Sequence, residues 1–81
     1  MNIVVRKDKR QKGIGTKLLN KIFEVTKRLN IQSITLEVNE KNQSAINLYQ
    51  RFGFQQVGLR KKYYHNIDNA IIMSVKLMSQ N

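Results

Sequence analysis

Eighty-one residues allow one domain at most, and a chain this short buries a modest share of its surface, so its stability is expected to be marginal. The sequence has no cysteine and no proline, which excludes disulfide frameworks, thiolate zinc sites and cysteine nucleophiles, and the lone His65 cannot assemble a metal site by itself. The formal net charge of +10 predicts attraction to polyanions, whether nucleic acid, a ribosomal surface or a phosphorylated cofactor.

No apolar run approaches the roughly 20 residues that a membrane span requires, and the first residues lack the apolar stretch of a secretory signal, so a cytoplasmic location is expected. In chain order, Ile3-Val4-Val5 reads as a short strand. From about Gly13 to Leu29 the apolar residues Ile14, Leu18, Leu19, Ile22, Phe23, Val25 and Leu29 recur with helical spacing, and Lys17, Lys21, Glu24, Lys27 and Arg28 fall largely on the other side. Asn30 is placed to stop that helix, because asparagine tolerates the left-handed conformation that closes helices. Ser33 to Val38 is rich in β-branched residues and predicts a second strand.

Strand, helix and strand in that order form a right-handed βαβ crossover, with Ile3-Val5 and Ile34-Val38 parallel. Asn42 then caps a second helix, whose apolar side is Ala45, Ile46, Leu48, Tyr49 and Phe52 and which ends at Gly53. Phe54 to Lys62 reads as a strand, His65 to Asn69 as a hairpin loop, and Ala70 to Leu77 as the returning strand. There is no internal repeat and no low-complexity linker, so residues 1–81 are taken as one α/β unit.

Between the first strand and the first helix lies Arg10-Gln11-Lys12-Gly13-Ile14-Gly15-Thr16. Glycine lets backbone amides approach a ligand closely, and the first amides of a helix have no internal partner, so this turn suits an anion, with phosphate the obvious candidate. Spacing rules out two phosphate loops. The dinucleotide fingerprint needs a third glycine where Leu18 stands, and Gly13 does not open the mononucleotide pattern that ends in Gly-Lys-Ser/Thr. A bare strand-to-helix connection explains two glycines equally well, so the rest of the chain must decide.

Arg10-x-x-Gly13-x-Gly15 resembles the pyrophosphate loop of the GNAT superfamily of acetyl-CoA-dependent N-acetyltransferases. The likeness extends through Leu36-Glu37-Val38, Asn42-x-x-Ala45-x-x-Leu48-Tyr49, Gly53-Phe54, Arg60-Lys61-x-Tyr63-Tyr64, Asp68 and Ala70-Ile71-Ile72-Met73, an order similar to the ribosomal-protein-alanine N-acetyltransferase branch. It implies an α/β fold with a GNAT-like mixed sheet: a βαβ unit, a helix, then an antiparallel hairpin.

The resemblance also implies acetyl transfer from acetyl-CoA to an amine, with a protein N-terminal α-amine as the first expectation and no metal. Backbone amides from Gln11 to Thr16 then hold the pyrophosphate, Arg10 and Lys12 add favourable charge, and Ile3, Val4 and Val5 lie along the pantetheine arm. Asn42 matches a coenzyme contact, although a helix cap explains it equally well. Tyr49 matches the acid that protonates the coenzyme sulfur; on its own helix it also reads as a core residue. Glu37 matches the general base, and desolvation within an apolar strand makes a carboxylate a better proton acceptor. Against that, strand alternation puts Glu37 on the face opposite Leu36 and Val38, where a solvent-facing carboxylate would pair with a lysine.

The family's domain begins with further strands and helices, whereas this sequence opens in the strand before the glycine turn, with Arg6 and Lys7 where relatives often have Asp-Pro. The expectation is a truncated domain that keeps the cofactor-facing half and bares the outer edge of its first strand, which predicts a homo-oligomer. Two alternatives remain open: a catalytically inactive acetyl-CoA-binding remnant, and a small basic nucleic-acid or ribosome-binding module that uses charge without sequence specificity.

Overall fold

The computed structural model describes residues 2–5, 15–64 and 67–77. Its elements are β1 (Asn2–Val5), α1 (Thr16–Arg28), β2 (Ser33–Asn39), α2 (Gln43–Arg51), β3 (Gln55–Tyr64) and β4 (Asp68–Lys76). They build one mixed sheet in the order β1-β2-β4-β3. The parallel β1–β2 pair runs from Asn2 opposite Ser33 to Val5 opposite Leu36, as the βαβ expectation requires. β4 is antiparallel to both β2 and β3, so β2 and β3 run the same way with β4 between them.

Both crossovers step across the sheet in the same direction, and the right-handed rule therefore sets α1 and α2 on one face. Ring contacts bear this out: Phe23 of α1 stacks on Phe52 at the end of α2, with centroids 5.6 Å apart, and meets Phe54 edge-on at 6.0 Å. Beneath them Leu19, Ala45, Ile46, Tyr49 and Phe54 pack on Ile34, Leu36 and Val38 of β2 and on Met73 of β4. Fully burying a leucine or isoleucine stabilises by about 1.5–3 kcal/mol, so Leu19, Ile34 and Leu36 alone contribute a large part of what holds so small a chain together.

Both helices stop by the same device. Asn30, at φ 58°, donates its N–H to Lys27 O, and Ile31 N–H reaches back to Thr26 O at 3.0 Å. Gly53, at φ 96°, donates to Gln50 O, and Phe54 N–H reaches Tyr49 O, each at 3.0 Å. These are paired Schellman closures, in which a left-handed residue turns two orphan carbonyls onto the following amides. The second brings the Phe54 ring to 5.8 Å from Tyr49, so the stop signal also assembles the core.

Two expectations need correction. Leu18 and Leu29 of the supposed core stripe of α1 are more than half exposed, and Val25 is also exposed, while Thr26 is buried. The face of α1 turned to the sheet and to α2 carries Leu19, Ile22, Phe23 and Thr26, and the Thr26 hydroxyl avoids a desolvation cost by donating to Phe23 O at 3.0 Å. In addition, Asp68 and Asn69 belong to β4 and not to a hairpin loop, and their side chains bond across to Asn39 at the end of β2 and to Glu40 just after it; His65 and Asn66 lie outside the described residues.

Candidate functional site

The carboxyl ends of β1 and β2 share one edge of the sheet. α1 runs back from that edge to deliver the chain to the start of β2, and α2 begins just after β2, so both helices open toward the same place. Neither has an acidic residue in its first turn. The positive ends of two helix dipoles therefore face this edge without a carboxylate of their own to neutralise them.

Gly15 is the N-cap of α1, and the first intrahelical hydrogen bond is Leu19 N–H to Gly15 O at 2.9 Å. The amides of Thr16, Lys17 and Leu18 thus lie ahead of the helical ladder, in the position that anions occupy at helix starts. Gly15 itself has φ −73° and ψ 166°, extended backbone open to any residue, and among the described residues a Cβ built on it meets nothing within 4 Å.

Of the other expected cofactor contacts, Arg10, Gln11, Lys12, Gly13 and Ile14 lie outside the described residues. Ile3, Val4 and Val5 are in β1, as expected, and Val4 is largely exposed. Asn42 caps α2: its Oδ1 accepts from Ala45 N–H at 3.3 Å and from the Ser44 hydroxyl at 3.2 Å. The cap role of Asn42 is therefore observed directly.

Tyr49 and Glu37 stand on opposite faces of the sheet. Tyr49 is fully enclosed in the helix-side core, so its packing role is real whatever else it does. Glu37 follows the last residue of the described β1–β2 register, and alternation turns it to the other face, away from Leu36 and Val38. It does not face solvent: it is 3% exposed, and its Oε2 lies 3.2 Å from Nη2 of Arg60, itself 44% exposed. The partner expected from the sequence for a solvent-facing Glu37 was a lysine. The observed one is an arginine two strands away, reaching over β4 from a position opposite Ala70. In the sequence Arg60 stands only within the Arg60-Lys61-x-Tyr63-Tyr64 part of the family likeness; the signal that would have found it as a partner of Glu37 is the sheet order, which sets Glu37, Ile72 and Arg60 on one face.

The four described carboxylates are all engaged. Glu24 pairs with Lys21 and Arg28 on the exposed side of α1, Glu37 with Arg60, Asp68 with Lys41, and Glu40 with Asn69. Of these four, Glu37 is the buried one, set behind a guanidinium.

This combination of a parallel strand pair, a glycine-capped helix start and a returning antiparallel hairpin defines an acyl-CoA N-acyltransferase fold. Residues 1–54 match the Acetyltransferase (GNAT) family. An N-alpha-acetyltransferase of Sulfurisphaera tokodaii is 36% identical over 78 residues, covering 95% of this chain and 47% of that protein. The crystal structure of the ribosomal-protein-S18-alanine N-acetyltransferase from Escherichia coli superimposes with a TM-score of 0.76 at 28% identity, covering 89% of this chain and 48% of that one. The NatC complex bound to Gag peptide and CoA gives a TM-score of 0.74 at 30% identity, over 85% of this chain and 43% of its counterpart. The chain belongs to the GNAT acetyltransferase family, and it spans about half the length of the relatives it matches.

Proposed function

We propose that the carboxyl edge of β1 and β2 binds acetyl-CoA, with its pyrophosphate on the first amides of α1, and that the protein moves the acetyl group to an amine, a protein N-terminal α-amine being the acceptor class. The observation that carries this is Gly15: a glycine that neither its backbone angles nor its neighbours among the described residues demand, at a helix start with no acidic residue in its first turn. A ligand in close contact with the backbone explains why a side chain is kept out. The relatives' names, and the coenzyme in the NatC structure, support the same reading.

Bound acetyl-CoA supplies an activated acetyl group as a thioester. The residues of this chain supply the proton transfers, since amine attack needs a base and a departing thiolate needs an acid. Glu37 is assigned the base: its carboxylate, set beside the Arg60 guanidinium, accepts the proton that the acceptor's amino group must lose. Tyr49 Oη is assigned the acid, from the helix side of the sheet. Arg10 to Ile14 and Ile3 to Val5 complete the coenzyme contacts in this proposal. A homo-oligomer joined along β1 goes with it, since among the described residues β1 pairs with β2 alone; sedimentation equilibrium at several ionic strengths checks that assembly.

The test is Gly15→Val. It should abolish coenzyme A binding in calorimetry while the circular dichroism spectrum stays that of the parent, because a Cβ at this position meets nothing within 4 Å among the described residues. Binding equal to the parent's overturns the assignment of the helix start. Coenzyme binding that collapses with modest salt and ignores Gly15 would favour the basic polyanion-binding module instead. Tyr49→Phe separates the two roles of that ring: packing is kept, and turnover should fall by roughly two to four orders of magnitude if the phenol is the acid.

A further inference from the structure

Glu40 follows β2 directly and binds the start of β4 three times over. Its Oε2 accepts the Asn69 backbone N–H at 3.1 Å, its Oε1 accepts from Asn69 Nδ2 at 3.2 Å, and its own N–H donates to Asn69 O at 3.0 Å. The Asn69 side chain is used at both ends, because its Oδ1 accepts the Lys62 backbone N–H at 2.8 Å. Lys62 has φ 53°, in the left-handed region that lysine rarely adopts. It lies where the register of β3 slips between Arg60 opposite Ala70 and Tyr64 opposite Asp68. Next to this clasp, Asn39 Nδ2 donates to Asp68 Oδ2 at 3.1 Å, and Lys41 pairs with Asp68 Oδ1 at 3.1 Å.

β3 runs parallel to β2, so this irregularity stands at the same edge of the sheet as the helix starts, and it begins one residue after Arg60, which holds Glu37. Sparsely populated backbone conformations persist where surroundings hold them, and strand bulges beside active sites re-aim a neighbouring side chain or end the pairing. None of these bonds touches α1 or its N-terminus.

We infer that Glu40 and Asn69 are positioning residues for the acceptor side of the site: they hold Lys62 in its left-handed conformation and so fix the β3–β4 hairpin, and Arg60 with it, beside Glu37. This rests on the acetyl-transfer reading above. A device that sets the acceptor side alone has a distinct signature. Its loss raises the acceptor KM and leaves coenzyme binding intact, and glycine at position 62, which adopts a positive φ without being held, makes the device unnecessary.

The experiment compares the parent, Asn69→Ala, Lys62→Gly and the double variant by calorimetric titration of coenzyme A and by acetylation and NMR binding of a peptide with a free α-amine. Asn69→Ala should keep coenzyme affinity within about twofold and raise the acceptor KM about tenfold or more, and Lys62→Gly in the same chain should restore most of that loss. An unchanged KM, a parallel loss of coenzyme affinity, or a double variant no better than Asn69→Ala overturns the inference. Should Asn69→Ala fail to fold, Glu40→Gln, which replaces one acceptor oxygen by a donor, is read by the same criteria with Lys62→Gly as its rescue. A parent that neither binds nor acetylates any amine peptide, while its coenzyme binding is normal, overturns the acetyl-transfer reading and the inference together. Equal peptide binding by parent and variants overturns the inference alone.

Discussion

The two faces of β2 are made from the same seven residues, Ser33–Asn39, and do different work. Ile34, Leu36 and Val38 face the helices and meet only hydrocarbon and aromatic rings. On the other face Thr35 shares a hydrogen bond with Ser74 at 3.1 Å, Glu37 pairs with Arg60, and Asn39 donates to Asp68. Burial is nearly complete for Leu36, Glu37 and Val38 alike, so burial does not tell scaffold from chemistry here. What tells them apart is how each buried group is satisfied: by packing on one side, and by a cross-strand polar partner on the other.

That contrast can be broken from either side. Leu36→Ala removes packing from the helix face and should cost about 2–5 kcal/mol of stability in urea unfolding, enough to unfold a chain this small. Glu37→Gln should do the reverse: the amide oxygen still accepts from Arg60 and folding stays cooperative, while acetylation of an amine peptide falls by about two orders of magnitude or more. Thr35→Ala sharpens the comparison, since it takes one neutral hydrogen bond from the polar face and should lower stability by about 1 kcal/mol. Leu18→Ser, on the exposed flank of α1, should shift the unfolding midpoint by no more than about 0.5 kcal/mol in equivalent free energy, although Leu18 is as apolar as its buried neighbour Leu19.

The last pair also shows where the sequence stops being informative. Asn30 and Gly53 were legible as helix ends because a stop is a local event, decided by one residue's tolerance of positive φ. Leu18 against Leu19 was not, because both fit a broad apolar arc, and which edge of that arc is buried depends on where α2 packs. Asp68 and Asn69 read as loop because Asp and Asn are turn formers; here their side chains are used by Asn39, Lys41 and Glu40, partners far away in the chain. For Glu37, alternation gave the face correctly, and its burial followed only from the sheet order that brings Arg60 over it. Of the glycine turn, only Gly15 and Thr16 lie among the described residues, and no other described residue comes within 4 Å of a Cβ at Gly15.

The strand order has a consequence for how the molecule is made. β4 is the central strand between β2 and β3, yet it follows both in the chain. During synthesis the residues of β2 and β3 therefore emerge before those of β4, the strand that pairs with both. Arg60 cannot span to Glu37, nor can Asn69 reach Lys62, until β4 inserts. Closure is thus a late event that depends on non-local pairing, the slow kind, and it completes the sheet and the polar face of the site at one stroke. A nascent chain halted within β3 would already contain the residues of both helices, α1 and α2, and still lack the strand across which Arg60 reaches Glu37.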